Sequence, residues 1–242
     1  METPVVEIEH LKMSFGENAV LKDVNIKIAK GENLIVFGKS GSGKSVLIKC
    51  MVGLLSPDSG KIVILGHNMI DLKNDELNAL RKKIGFLFQS AALYDSMTVG
   101  ENLAFPFRDL KDQSKEETAE LVKEVLINVG LEEAIDKMPS ELSGGMRKRV
   151  GLARTLILKP DIILYDEPTT GLDPITSKEI SQLILDVQKK YNTTSVIITH
   201  DVECARITGN RMIIIKDGVA FAEGTFQELS TSKDEWIHSF FE

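Results

Sequence analysis

Apolar positions alternate with polar ones near the start of this chain and then change to helical spacing, and the points of change divide it into parts. Residues 5–15, 21–28 and 61–65 alternate with the period of strands that have one buried face. Between the second and third of these lies Leu34-Ile35-Val36-Phe37, a continuous apolar run that reads as a strand buried on both faces. A glycine-rich stretch follows it. In residues 45–52, Val46, Leu47, Ile48, Met51 and Val52 then give a helix an apolar face. From residue 99 to 130 the character is helical, and within 115–129 Leu121, Val122, Val125, Leu126 and Val129 recur on one face. Another helix is predicted from Ser143 to about residue 158, with Met146, Val150, Ala153 and Ile157 near helical spacing. Short apolar runs return at 161–165, 196–198 and 212–215, the length of sheet strands. The last stretch, 225–242, has helical potential and carries Trp236, Ile237, Phe240 and Phe241. Four large apolar groups on so short a tail need cover, either on the chain's own core or on a second copy.

The glycine stretch carries the first chemistry. Gly38-Lys39-Ser40-Gly41-Ser42-Gly43-Lys44-Ser45 fits G-x-x-x-x-G-K-[ST], with a strand before it and a helix after it, the context that pattern requires. Glycines let successive backbone N–H groups converge on phosphate oxygens, and the helix N-terminus adds a favourable dipole. Lys44 is then expected to reach the terminal phosphates, and the Ser45 hydroxyl to ligate Mg²⁺. The plain alternative is a chance glycine turn.

A second strand ends in acids. The run from Asp161 to Tyr165 is bracketed by Pro160 and Pro168 and terminates in Asp166-Glu167. Carboxylates at a strand's carboxyl end lie where ligands sit in open α/β sheets. Asp166 suits a Mg²⁺ contact through water, and Glu167 suits orienting or deprotonating an attacking water. Read alone, such a pair is also a solvated strand end.

Leu142-Ser143-Gly144-Gly145-Met146 opens the third site. Ser143 and the N–H groups of Gly144 and Gly145 begin a helix, which attracts phosphate. The chain already has one phosphate cradle, so a second anion site is most economically used by another copy under two-fold symmetry. An ordinary capped helix is the competing reading.

Together the phosphate loop, the LSGG-type stretch, Asp166-Glu167, Gly171-Leu172-Asp173 and Thr199-His200-Asp201 resemble the nucleotide-binding subunit of an ATP-binding cassette (ABC) transporter over nearly the whole chain. The resemblance implies an α/β fold: a P-loop NTPase (RecA-like) core, with a small antiparallel β subdomain and an inserted helical signature subdomain. It implies one domain over 1–242, with core and β parts at about 1–90 and 159–224, helical part at about 91–158, and a tail at 225–242. ATP and Mg²⁺ are the implied cofactors, held in a head-to-tail dimer by the loop of one subunit and the signature of the other. Gln89 would sense the γ-phosphate and Mg²⁺, Asp173 would bridge the two sites, His200 would contact the γ-phosphate and water, and Phe15 would stack on adenine. A stacked base contributes about 1–3 kcal/mol and tolerates a change of ring. Residues 91–97 correspond to the cleft that grips a membrane subunit's cytoplasmic helix.

Three positions depart from the family pattern: Met146 stands where glutamine is typical, Lys39 where a small residue or proline is common, and Val46 where threonine is more frequent. None removes a hydrolytic group. Within the family, the stretches around Met146 and Tyr165 are most similar to the Mla and Mce-type ATPases of bacterial lipid trafficking. That likeness implies integral membrane permease subunits as partners, with a lipid-binding Mce-type subunit beside them. It also implies a peripheral place on the cytoplasmic face of the inner membrane. Other classes fit less well, since there is no coiled-coil insertion of repair ATPases, no second cassette of translation factors and no guanine-reading motif.

Composition narrows this further. The 242 residues are 43% apolar, enough for a large core, while no stretch approaches the roughly 18–20 apolar residues of a membrane span. Net charge is -7 with no basic tract, so nucleic acid is not an expected partner. Cys50 and Cys204 lack metal spacing and read as buried thiols in a reducing cytosol, and the N-terminus has no signal-peptide pattern.

Overall fold

The structure is a computed structural model and describes residues 3–108 and 114–241. β1 (Val6–Phe15) and β2 (Asn18–Ile28) form a hairpin, β3 (Asn33–Phe37) runs into the glycine loop, and α1 (Lys44–Met51) leaves it. β4 (Ser59–Ile64), the short β5 (His67–Asn68), α2 (Asn74–Arg81) and β6 (Ile84–Leu87) come next. A helical part contains α3 (Val99–Ala104), α4 (Lys115–Asn128) and α5 (Gly144–Leu156). The chain then returns to the sheet through β7 (Ile162–Asp166), α6 (Pro174–Tyr191), β8 (Thr194–Ile198), α7 (Val202–Thr208), β9 (Arg211–Lys216) and β10 (Val219–Gly224). The tail holds α8 (Phe226–Ser230) and α9 (Glu235–His238). The parts of the helical and tail expectations that fall on 109–113 and 242 lie outside the described residues.

All strands join one sheet in the order β5-β4-β1-β2-β10-β9-β3-β8-β7-β6. β9, β3, β8, β7 and β6 are parallel neighbours, whereas β1, β2, β4 and β5 pair antiparallel. A parallel bridge between Val219 and Asp23 links the two regions. The pleat sorts the parallel strands' side chains onto two faces. Phe37, Ile163, Tyr165 and Ile197 point to the face covered by α4, α5, α6 and α7. Val36, Leu164, Val196 and Ile198 point to the other, covered by α1 and the antiparallel strands. Both faces are buried, which is why these strands read as unbroken apolar runs.

The α4 stripe buries as its spacing predicts, with Val122, Val125 and Leu126 inside and Leu121 partly covered. Its start is fixed by a capping box, in which the Ser114 hydroxyl accepts from the Glu117 N–H and the Glu117 carboxylate accepts from the Ser114 N–H.

The tail covers its apolar groups on its own chain. The Phe240 ring meets Phe37 edge-on at 5.5 Å and the Phe241 ring stacks on Phe37 at 6.2 Å, directly behind the glycine loop. Trp236 packs edge-on against Phe221 at 5.3 Å, and the Lys216 ammonium lies 4.2 Å from the Trp236 centroid.

Candidate nucleotide site

β3, β7 and β8 end at one level of the sheet, and their following residues form the site. Register places Val36 opposite Ile198, and Asp166 opposite that same Ile198 from the other side. Gly38, Glu167 and His200 therefore emerge together at the carboxyl edge. β6 extends the row: Leu87 pairs with Tyr165, so Gln89, two residues on, is level with Glu167.

The glycine loop folds as a cradle. Gly38, Gly41 and Gly43 all have positive φ, at 147°, 79° and 102°. A Cβ on Gly38 would lie 2.6 Å from the Ile215 carbonyl oxygen, so a side chain has no room there. The Lys44 ammonium is buried beneath the loop and donates to the carbonyls of Gly38 at 2.7 Å and Lys39 at 3.0 Å. Burial pushes its pKa down, and the charges of Glu167 and Asp166 oppose that shift. Ser42 Oγ is buried with no hydrogen-bond partner among the described residues, a donor suited to an incoming phosphate oxygen. Lys39 and Ser40 remain exposed at the loop's crest.

Two oxygens beside the loop could hold a cation. Ser45 Oγ and Asp166 Oδ1 are 3.1 Å apart. Asp166 is 8% exposed and its pKa is raised, chiefly by burial, against the lowering effect of the Ser45 hydrogen bond. A carboxylate in that state gains by meeting a divalent cation.

Glu167 occupies a left-handed backbone conformation, φ 51°, which costs a residue with a side chain about 1–3 kcal/mol and marks a held geometry. Its Oε2 takes a hydrogen bond from the Thr170 hydroxyl at 3.1 Å and pairs with His200 Nδ1 at 2.8 Å. The carboxylate is mostly covered while the imidazole is 63% exposed, so the pair runs from the sheet edge toward solvent. Asp201 secures the segment by capping α7 and accepting from the Thr169 hydroxyl at 2.9 Å.

The remaining residues frame this centre. Phe15 closes the β1–β2 hairpin with its ring 49% exposed. That hairpin crosses the loop, since a Cβ on Gly43 would lie 2.8 Å from Leu21 Cδ2. Ser143 caps α5, accepting from the Met146 N–H at 3.2 Å, and both Ser143 and Gly144 face outward. Gly145 faces inward, where a Cβ would meet Thr176 Cγ2 at 2.5 Å, so α5 starts hard against α6. Asp173 caps α6 through the N–H groups of Ile175 and Thr176, and these bonds with the Thr176 hydroxyl hold its pKa down. The Gln89 side chain is exposed. Its carbonyl accepts from the Lys148 ammonium at 2.6 Å.

Lys148 was not singled out by sequence reasoning. It is 6% exposed on α5 and also donates to the Glu167 carbonyl at 3.0 Å. The available signal was its spacing, because Lys148 falls on the buried stripe with Gly145 and Leu152. Thr169 and Thr170 also escaped notice, being ordinary loop residues by type.

Comparison with known proteins settles the family. A family model described as ABC transporter matches residues 21–170. The chain belongs to the ABC transporter family. It is 40% identical over 235 residues to the probable ribonucleotide transport ATP-binding protein mkl of Mycobacterium tuberculosis, covering 97% of this chain and 66% of that protein. The intermembrane phospholipid transport system ATP-binding protein MlaF of Haemophilus influenzae is 38% identical over 99% of this chain and 91% of its own length. Among solved structures, an ATP-binding cassette captured as a dimer in a post-hydrolysis state with ADP and Pi matches with TM-score 0.83 at 36% identity, over 91% of this chain and 98% of that one. The fold is thus that of an ABC cassette, a P-loop core with a β part and a helical part.

This ABC cassette has a groove beside β6. A cavity of about 350 Å³ lies elsewhere, at the amino ends of the strands, while the groove beside β6 measures about 500 Å³ and is lined by Phe86, Phe88, Tyr94, Pro106 and Leu158. The loop at 91–97 is pinned: buried Asn102 donates to the Tyr94 and Met97 carbonyls and accepts from the Tyr94 N–H. Arg154 donates to the Ala92 carbonyl, and its guanidinium lies 4.8 Å from the Tyr94 ring centroid. Leu93 is partly buried against the core, leaving Tyr94 as the exposed large apolar group of the loop.

Proposed function

We propose that this chain is the ATP-hydrolysing motor subunit of a membrane transporter, that it works as a head-to-tail pair, and that its cargo is phospholipid. One observation carries the hydrolytic reading: Lys44, the Ser45–Asp166 pair and the Glu167–His200 pair converge on the carboxyl edge of the parallel strands. The backbone N–H groups of residues 38–45 bind the phosphates, Lys44 moves from its loop carbonyls to the terminal phosphates, and Phe15 stacks on the base. Glu167, positioned by Thr170 and His200, orients and deprotonates the attacking water.

Mg²⁺ fits the donor set, because Ser45 would hold it by its hydroxyl and Asp166 through water, both oxygens lying beside the loop. It supplies neutralisation of the charge that develops on the phosphates. Gln89, level with Glu167, completes that side of the site. Ser143, Gly144 and Gly145 serve the nucleotide bound to the other copy, with Asp173 at the boundary between the two sites.

The groove at Tyr94 receives a cytoplasmic helix of an integral membrane permease, which places the chain peripherally at the cytoplasmic face of the inner membrane. Among the described residues no helix is long and apolar enough to cross a membrane. The similarity to MlaF over nearly all of both chains supports phospholipid cargo, and an Mce-type lipid-binding partner follows from the resemblance of the stretches around Met146 and Tyr165. The mkl similarity favours a second reading, a motor of the same kind for a non-lipid substrate. Purifying the native complex and identifying its bound lipid tests the cargo. Phospholipid in stoichiometric amount, with lipid-dependent ATPase rate, is expected. A complex that binds a nucleotide, sugar or amino acid as cargo, without lipid dependence, overturns the lipid reading and leaves the motor.

A further inference from the structure

We propose that Lys148 is a positioning residue that ties the signature helix of each subunit to the water-activating centre of that same subunit. Its ammonium joins two segments: it donates 2.6 Å to the Gln89 carbonyl after β6 and 3.0 Å to the Glu167 carbonyl after β7. The two strands themselves pair from Ile84 and Ile162 only as far as Leu87 and Tyr165. Beyond that point Lys148 is the link between them. It bonds the backbone of the two residues whose side chains face the γ-phosphate in the reading above, and it holds the Glu167 peptide in its strained φ of 51°. Charge-assisted bonds made by a covered ammonium suit that task. Burial lowers the ammonium's pKa, and the charges of Glu167 and Asp166 oppose this.

The consequence lies in the helix that carries it. Ser143 caps α5 and Lys148 follows five residues later, about 7.5 Å along the axis and roughly 140° around it. The N-terminus of α5 is thereby directed outward and Lys148 inward. This inference rests on the reading that Ser143–Gly145 bind the partner's nucleotide. Under it, engagement of α5 by the partner's ATP shifts or steadies Gln89 and Glu167 of its own chain, and each nucleotide informs the other site.

The test uses full-length chains mixed into dimers with one working site. Subunit one carries Ser143→Asp and keeps its phosphate loop; subunit two carries Lys44→Ala and keeps its signature. The working site combines the loop of subunit one with the signature of subunit two. Lys148→Met added to subunit one is expected to lower single-turnover ATP hydrolysis on the order of 10- to 100-fold, as small misplacements of reacting groups do, with ATP Kd changed less than about twofold. Added to subunit two, it is expected to have at least fivefold less effect, and Lys148→Arg in subunit one recovers most of the rate. Lys148→Gln, which keeps an amide donor, replaces the Met variant if that variant fails to fold, with the same asymmetry expected. Equal losses from both placements, or none from subunit one, overturn the role of Lys148. A parent mixture with no turnover instead overturns the trans reading, and the inference with it.

Discussion

The phosphate loop and the signature are both glycine-rich entries to a helix, yet their surroundings are opposite. α1 begins at Gly43 without a side-chain cap, and around it lie a buried lysine, a serine–aspartate pair and a glutamate–histidine pair. α5 begins at an outward-facing Ser143 that caps its own helix, and no acidic residue occupies its first turn. Exposed Arg147 instead places positive charge near the positive end of the helix dipole, an arrangement that an anion relieves. The first entry has a full set of groups for phosphoryl chemistry; the second has binding groups only. The difference teaches that one helix entry gathers the whole set of phosphoryl-transfer groups, and it fits the proposal that the other acts on a neighbour.

The comparison breaks most sharply at the first entry. Glu167→Gln is expected to keep ATP binding while slowing hydrolysis at least about 100-fold, and Lys44→Ala to lose binding itself, measured by nucleotide titration alongside phosphate release. Wild-type turnover by Glu167→Gln would remove Glu167 from its role.

Tyr94 sharpens the contrast between catalytic and docking surfaces. Tyr94→Glu is expected to abolish recovery of the membrane complex in a copurification while nucleotide affinity stays within about twofold, since the ring lines the groove and not the phosphate cradle. Leu93 is the poorer probe, because its side chain packs on the core.

A smaller effect is expected at the tail. Phe240→Ala removes an edge-on contact with Phe37 behind the loop and is expected to cost about 2–3 kcal/mol in urea unfolding, below the roughly 3–5 kcal/mol of a fully buried aromatic because the site is only partly covered. A loss that varied with protein concentration would mean the tail is held by the second copy. The slightest effect concerns thiols: burial pushes Cys50 and Cys204 up to about 11, so at pH 8 only about 0.1% of each is thiolate. A thiol reagent is expected to label them fully only after denaturation, followed by absorbance.

Much of this was legible in the chain because local pattern and local chemistry coincide. The alternation of residues 5–15 became β1, the run at 34–37 became the buried β3, and the α4 stripe became part of the core. Asp166 and Glu167 could be found because they mark the end of a strand, and Lys44 and Ser45 because they open the helix that leaves the glycine loop. What escaped depends on contacts between distant segments. β6 is an edge strand of four residues containing Gly85, too short to show a period. α6, the longest helix described, went unread beside the motif that precedes it. Lys148 joins residues 59 and 19 positions away, a link no spacing rule reports. The tail's choice between its own core and a second copy needed Phe37 to be in place.

The central claim is that the signature acts on the other subunit's nucleotide, and mixing two disabled chains tests it most directly. Ser143→Asp keeps a residue that caps a helix well and adds a charge that repels phosphate, while Lys44→Ala disables the loop. Each variant alone is expected to hydrolyse ATP at background rate. Mixed in equal amounts, they are expected to recover activity up to about a quarter of the wild-type rate, since random pairing makes half the dimers mixed and each mixed dimer has one intact composite site whose own α5 is unengaged. A mixture no more active than its parts would contradict the claim.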